Sequence, residues 1–253
     1  MQIRDTLMPA DYFDRSISFK QQAVREDEND ILASPAQFVR LDSVAVSLLF
    51  YRRNLWMAKY SRGYPLEELR NDFPAIVKDW EYLRQVDTTD RFPNSLKDSL
   101  DNYVTSLWLL SQAHLVRVEQ SVFLRLLACI GHEGQDLLFE RLVAAIVPGI
   151  GRKPAEQLLY PKAYQPLYEA LDAAPAAQPA LLRQFLKHWY KRMSKAGWHD
   201  GHKGPKGGGY FGYWCWEAAG VAGAFGIDDS SFRDMPYYPK DLADFARVNL
   251  SRI

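Results

Sequence analysis

Three histidines and one cysteine in the last third of the chain are residue types that bind transition metals. His199 and His202 lie in a WHDGH segment, with His188 before it and Cys215 after it. Two imidazoles and a thiolate form a plausible zinc set. The chain has no HExxH pattern, however, and the residues around this segment are basic, which opposes cation binding. We therefore favour a polar loop with solvent-exposed histidines and predict no metal site.

A glycine run next to this segment raises the question of phosphate binding. Gly207-Gly208-Gly209 follows Lys203 and Lys206, and backbone N–H groups together with a lysine cradle phosphates in nucleotide-binding loops. No strand is predicted before the glycines, and no Gly-Lys-Ser/Thr ends them. We favour a flexible connector between two helices and predict no cofactor.

Glu217 is the only carboxyl in an otherwise apolar segment, 213–225. If buried, it would have a raised pKa and could act as a general acid. With His199 and His202 it would then form a metal-dependent hydrolase site, which is the alternative function. No second carboxylate or nucleophile lies at a defined spacing. We therefore favour a structural carboxyl paired with an Arg, Lys or Tyr, and we predict no catalytic residue.

Apolar residues at three- and four-residue steps run through almost the whole chain and predict the helices that position these groups. In the first helix, 11–28, the residues Phe13, Ile17 and Val24 fall on one side together with 19–23. Alternating strand patterns and hairpin dipeptides are not found. The sequence predicts an all-α protein of about ten helices in two packed helical domains, residues 1–115 and 116–253.

Proline, glycine and serine predict where several helices begin and end. Ser34-Pro35 is expected to open the second helix, and Gly63 to end it in a left-handed cap. Pro74 predicts a kink or a short break in the third helix, and residues 92–95 are expected to cap the fourth. Small residues in the helix predicted over 213–225 indicate a close approach to a neighbouring helix. We expect the following residues to form the structural core: Trp189, Tyr213, Trp214, Trp216, Glu217 and Tyr238.

The composition of the chain argues against several classes of function. The chain has 253 residues, is 47% hydrophobic and 25% charged, and balances 31 Lys+Arg against 31 Asp+Glu. Zero net charge argues against a general nucleic-acid binder, because phosphate contacts need a basic excess. No signal peptide or membrane-length apolar run is predicted, and two isolated cysteines fit a reducing compartment. A cytoplasmic protein is expected.

The distribution of charge is more informative than its sum. Residues 183–206 contain seven Lys/Arg and one Asp, whereas residues 26–30 and 228–244 are acidic. Solvated faces explain most such runs. An acidic patch is also able to imitate nucleic acid and dock into the basic cleft of a partner.

Blocks of sequence in both halves of the chain resemble the PoNi immunity proteins. The blocks are LKHWY at 186–190, WH at 198–199, GYWCWEAAGVA at 212–222, GIDDSS at 226–231, YYPKDL at 237–242, and KYSRG and LEEL at 59–63 and 66–69. Lys240 departs from the uncharged or aromatic residue expected there. The resemblance implies a helical, bacterial, cytoplasmic and non-enzymatic protein. It would protect the cell from a DNase toxin, generally with a restriction-endonuclease-like fold, delivered by type VI or related secretion systems.

The resemblance implies one protein partner, a cognate nuclease effector, with no direct contact to nucleic acid or membrane; a homodimer is also open. A DNase presents cationic groups to phosphate, so we predict that an acidic surface occludes it. Two clusters are candidates for toxin binding: Glu26, Asp27, Glu28 and Asp30, and the higher-ranked Asp228, Asp229 and Asp234. Asp228 and Asp229 have an alternative role as caps of the following short helix.

Overall fold

A computed structural model of the chain describes residues 2–33, 40–92, 95–205 and 209–250. Of the described residues, 65% are helical; they form ten α-helices and no strand, which confirms the all-α prediction. In chain order the helices are α1 (Ala10–Ala33), α2 (Leu41–Arg62), α3 (Leu66–Val86), α4 (Leu100–Leu115), α5 (Gln120–Ile130), α6 (Leu137–Ile146), α7 (Pro161–Asp172), α8 (Gln178–Arg192), α9 (Trp216–Phe225) and α10 (Lys240–Leu250). None of these helices is long and apolar enough to cross a membrane.

The chain forms two compact units, each assembled from three stretches of sequence. Unit 1 comprises Met1–Asn94, Val118–Cys129 and Asp200–Tyr213, and unit 2 comprises Ser95–Arg117, Ile130–His199 and Trp214–Ile253. The predicted boundary between residues 115 and 116 gave each domain one contiguous stretch. In the structure α5 belongs with α1, α2 and α3 instead, while α4 belongs with the later helices.

Unit 1 is built on the packing of α1, α2 and α3. Helix α2 ends at Arg62, and Gly63 follows in the left-handed conformation with φ of 101°, as predicted. Glycine is required there for a second reason, because a Cβ would lie 1.8 Å from the backbone oxygen of Gln2. The amino-terminal segment therefore packs directly on the end of α2.

The start of α4 differs from the prediction. Ser99, not the segment 92–95, is the N-cap, and its hydroxyl accepts a hydrogen bond from the Asn102 backbone N–H. A serine in extended conformation before the first helical residue has the ordinary N-cap geometry. Pro93 and Asn94 of the predicted cap lie outside the described residues.

The start of α9 also differs, because it is set by a partner far along the chain. Tyr213 and Trp214 precede the helix, and the Cys215 backbone N–H donates to the Tyr237 carbonyl at 2.8 Å. That contact is invisible to local periodicity. At the other predicted start, Ser34-Pro35 lies outside the described residues, and α2 is described from Leu41.

Pro74 does not interrupt α3, which runs from Leu66 to Val86. A proline inside a helix removes one backbone hydrogen bond and crowds the preceding turn. Phe73, Ile76 and Val77 are each no more than 1% exposed, so core packing on both sides of the proline holds the helix in place.

In unit 2, helices α4 and α9 pack closely, as the small residues of the latter predicted. A Cβ placed on Gly220 would lie 2.3 Å from the Ser111 hydroxyl and 2.5 Å from its Cβ. Only glycine allows the two backbones to approach this far. The contact places the first turn of α9, with Glu217, deep inside unit 2.

Candidate functional site

Glu217 is fully buried and accepts hydrogen bonds from three aromatic side chains. Its Oε2 accepts from Trp108 Nε1 at 2.8 Å, and its Oε1 accepts from Trp189 Nε1 at 2.7 Å and from the Tyr164 hydroxyl at 3.1 Å. Burial raises the pKa of this carboxyl to about 7, against the hydrogen bonds that lower it. Because its oxygens point at structural donors on α4, α7 and α8 and none is exposed, Glu217 ties four helices together.

The four residues that were considered as a zinc set have other surroundings in the structure. His199, in unit 2, stacks on Tyr190 with ring centroids 4.2 Å apart. The Nδ1 atom of His202, in unit 1, lies 2.8 Å from the Tyr213 hydroxyl. Burial raises the pKa of the Cys215 thiol, which disfavours the thiolate that zinc requires.

Outside these contacts, His188 is exposed on α8. Over the described part of the chain, no three His, Cys, Asp or Glu residues are grouped so as to hold a metal ion. Lys206, Gly207 and Gly208 of the glycine run lie outside that part, and Gly209 is described with φ of 81°.

The residues expected in the core are all buried in the structure. Trp189 is 0% exposed and Trp214, the most accessible of the aromatic members, is 8% exposed. The remaining four have exposures from 0 to 3%: Tyr213, Trp216, Glu217 and Tyr238. These positions therefore present almost no surface to a partner.

The second acidic cluster is largely engaged within unit 2. Asp229 is 1% exposed, and its carboxylate accepts hydrogen bonds from the Tyr238 hydroxyl at 2.9 Å and from Arg247 at 2.8 and 2.9 Å. Arg233 forms a further ion pair with it at 3.2 Å. A carboxylate held in this way is a structural anchor between α10 and the segment before it, and it has no surface left for a toxin.

The neighbours of Asp229 are exposed but partnered. Asp228 accepts from the backbone N–H and the hydroxyl of Ser230 at 3.1 and 2.6 Å, which is the local turn chemistry of aspartate. Asp234 forms an ion pair with Lys240 at 2.8 Å. Lys240 thus neutralises one of the predicted contact residues.

The first acidic cluster, at the end of α1, is more accessible. Glu26, Glu28 and Asp30 are exposed, and Asp27 is half-buried. Glu28 pairs with Arg52 at 2.6 Å. Burial raises the pKa of Asp27, and the charges of Asp30 and Glu26 raise it further. Negative charge at this end of α1 is therefore only partly compensated.

Two exposed aromatic residues on α1 and α2 were not predicted from the sequence. Phe19 is 60% exposed and Phe50 is 50% exposed, although residues 19–23 were placed on the apolar side of the first helix. The buried positions of α1 are Tyr12, Phe13, Ile17, Lys20 and Val24. Phe19 lies two residues after Ile17, and this spacing off the buried stripe was the available signal.

Two family models match the chain in succession. The model described as "PoNe immunity protein (PoNi), N-terminal" matches residues 4–128, and that described as "PoNe immunity proteins (PoNi), C-terminal" matches residues 134–242. Together they cover nearly the whole chain. The protein is a helical immunity protein, and it belongs to the PoNi family of PoNe immunity proteins.

A solved structure has the same fold. The crystal structure of protein PA2201 from Pseudomonas aeruginosa is similar over 98% of this chain and 91% of its own, with a TM-score of 0.74 and 18% sequence identity. At 18% identity the similarity shows only that the two proteins share a fold. No curated protein matches the chain.

Proposed function

We propose that this protein binds a cognate antibacterial nuclease and neutralises it by occlusion, without catalysis of its own. The observation that carries the proposal is the match of both PoNi models over residues 4–128 and 134–242. The buried, fully engaged Glu217 supports the non-enzymatic part, since it was the strongest candidate for a general acid. The alternative of a metal-dependent hydrolase at His199, His202 and Glu217 has no comparable support.

The proposed mechanism is competition for the surface of the nuclease that binds DNA. That surface carries cationic groups for phosphate, and carboxylates are able to occupy the same positions. The neutral overall charge of the chain makes a local acidic surface necessary for this role. We further propose that the protein acts in the cytoplasm, where a nuclease delivered by a type VI or related secretion system reaches the DNA.

Protection and binding test the proposal together. The probe is a PoNe toxin encoded in the same strain, expressed with and without this protein in a susceptible host. We expect restored survival, a 1:1 complex with nanomolar or tighter affinity, equivalent to about −12 kcal/mol, and loss of DNA cleavage in vitro. Cells that die equally with and without the protein would contradict the proposal.

The mass of the toxin separates occlusion from enzymatic inactivation. After incubation with the immunity protein, the toxin is released under denaturing conditions, refolded and analysed by mass spectrometry. We expect an unchanged mass and full recovery of nuclease activity. A cleaved or modified toxin would instead identify the protein as an enzyme.

A further inference from the structure

Unit 1 exposes an aromatic group on the pair of helices α1 and α2. The ring of Phe19 lies 5.8 Å from that of Tyr51, and Phe50 lies 5.5 Å from the same tyrosine, both edge to face. Tyr51 therefore joins two exposed phenylalanines into one continuous patch. Exposed apolar residues that occur singly are normal, but clustered aromatic residues are typical of interaction sites.

Carboxylates lie on the same side of this helix pair. Along α1, positions 19, 26, 27 and 30 are separated by seven, eight and eleven residues, and these spacings return to one face of a helix. Asp27 contacts Ser47 of α2, and Ser47, Phe50 and Tyr51 are likewise spaced by three and four residues. The aromatic patch thus has an acidic end.

The carboxylate of Asp27 is incompletely satisfied. Its Oδ2 atom is buried and has no hydrogen-bond partner among the described residues. Within the acidic end, Glu26 accepts a hydrogen bond at 2.7 Å from the side chain of Gln22, a neutral residue. Since the Asp27 Oδ2 atom is buried, the acidic end presents its charge through the exposed carboxylates of Glu26 and Asp30, which are complementary to a partner that brings N–H donors and positive charge.

We infer that this aromatic–acidic face, formed by Phe19, Glu26, Asp27, Asp30, Phe50 and Tyr51, is the surface on which the nuclease docks through its cationic, phosphate-binding groove. The inference rests on the proposed function and specifies its contact site. The aromatic rings would anchor the complex, since buried aromatic residues dominate the energetics of interfaces. The carboxylates would pair with Lys and Arg of the groove and speed the encounter.

The positive charge of the basic segment, residues 183–206, excludes this segment as the surface that binds the nuclease groove. On α8, Arg183, Lys187 and Lys191 are exposed at steps of four residues and give that helix a positive face. A nuclease groove built for phosphate is also positive, so the two surfaces would repel. The aromatic–acidic face is the one whose charge fits the proposed partner.

Two double variants distinguish the contribution of the aromatic rings to the stability of the complex from that of the carboxylates to the rate of association. The first is Phe19→Ala with Phe50→Ala, and the second is Glu26→Lys with Asp30→Lys; Asp27 is left intact because it supports α2. Matched controls are Leu124→Ala, an exposed apolar residue of α5 in unit 1, and Glu156→Lys with Glu169→Lys, exposed acids of unit 2. Circular dichroism and the melting temperature establish that each variant is folded.

We expect the aromatic variant to raise the Kd for the PoNe toxin at least about thirtyfold, mainly through faster dissociation. The charge variant should slow association at least about tenfold at low salt and flatten its salt dependence. The controls should bind within about threefold of the unaltered protein. Melting temperatures should stay within about 2 °C, because all four positions are exposed.

The outcomes distinguish the docking face from the function itself. If the unaltered protein binds and protects, and both variants do so equally well, the face is refuted while the proposed function stands. If the unaltered protein neither binds the toxin nor protects the cell, the proposed function itself is contradicted. Light scattering tests a second copy of this chain as the occupant. A dimer that the aromatic variant converts to monomer, with toxin affinity unchanged, would overturn the inference.

Discussion

Replacing Glu217 with glutamine tests the buried carboxyl, and the structure predicts an effect that depends on pH. The glutamine oxygen keeps the hydrogen bonds from Trp189 and Tyr164, but its amide group then faces the Trp108 N–H. One buried donor is left without an acceptor, which costs about 1–3 kcal/mol. This loss is present at every pH.

The ionisation of the Glu217 carboxyl has the opposite effect on the stability of the variant relative to the unaltered protein. Burial raises the pKa from 4.5 to about 7, so in this window the folded protein holds a proton that the unfolded chain has released. The free energy of unfolding therefore falls as the pH rises from 4.5 to 7, by about 3 kcal/mol at about 1.4 kcal/mol for each pH unit. Glutamine does not ionise, so the variant lacks this fall.

The two effects predict a variant that is less stable than the unaltered protein at pH 4.5 and equal to it or more stable at pH 8. Urea denaturation followed by circular dichroism, at intervals between pH 4.5 and 8, measures the difference directly. Other titrating groups are shared by both proteins and cancel in that difference. A difference constant to within about 0.5 kcal/mol over the whole range would refute the reasoning.

A double-mutant cycle isolates the hydrogen bond from the charge. Trp108→Phe removes the donor that glutamine leaves without an acceptor. At pH 4.5, the combined Glu217→Gln and Trp108→Phe variant should therefore be more stable than the sum of the two single effects predicts, by about 1–2 kcal/mol. Strict additivity would show that Trp108 and Glu217 are not coupled.

Three further changes have defined effects on the free energy of unfolding, measured by urea denaturation. Asp229→Asn removes the charge shared by two arginines and should lower the free energy of unfolding by about 2–4 kcal/mol; the loss is not larger because both arginines are partly exposed. Asp234→Asn, at an exposed ion pair, should lower it by less than about 1 kcal/mol. Gly220→Ala forces a Cβ against Ser111 and should destabilise by about 1–3 kcal/mol despite the better helix propensity of alanine. Lys20→Met should stabilise the protein at pH 7 by about 2–3 kcal/mol, because burial lowers the lysine pKa from 10.5 to about 8. Between pH 8 and 10.5 the unfolded chain holds more protons than the folded protein, so the gain should disappear over that range. Equal costs for both aspartates, no loss at the glycine, or a pH-independent effect at the lysine would each contradict its prediction.

The fold class was predictable because it rests on local information. Apolar residues at helical spacing give each helix its buried stripe, and the glycine at position 63 ended α2 where expected because its left-handed conformation is a property of one residue. Helix starts were less predictable. The start of α9 depends on the Cys215–Tyr237 hydrogen bond, and the two residues are more than twenty positions apart in the sequence.

The role of Glu217 was predictable only in kind. Its apolar surroundings indicated a buried carboxyl paired with a polar neighbour, and Tyr164 is such a neighbour. The two tryptophan donors, Trp108 and Trp189, lie on other helices of unit 2, and no spacing in the sequence connects them to Glu217. Helix periodicity identifies buried faces, but it does not say which buried side chains meet.

The second acidic cluster was ranked higher because it lies close to the family-like segment, but its charge is compensated by a cation outside the segment that was counted. Residues 228–244 contain five acids and two bases, yet Arg247, three positions further on, pairs with both Asp229 and Asp244. Net charge in a stretch of sequence therefore overstates the negative surface wherever helix packing brings a base in from outside. At the end of α1, in contrast, Arg52 reaches Glu28, while the exposed Glu26 accepts a hydrogen bond from the neutral side chain of Gln22 and Asp30 is exposed as well. A surface that opposes a cationic groove needs charge that its own protein leaves uncompensated, and this is the physical reason to place the docking face on α1 and α2.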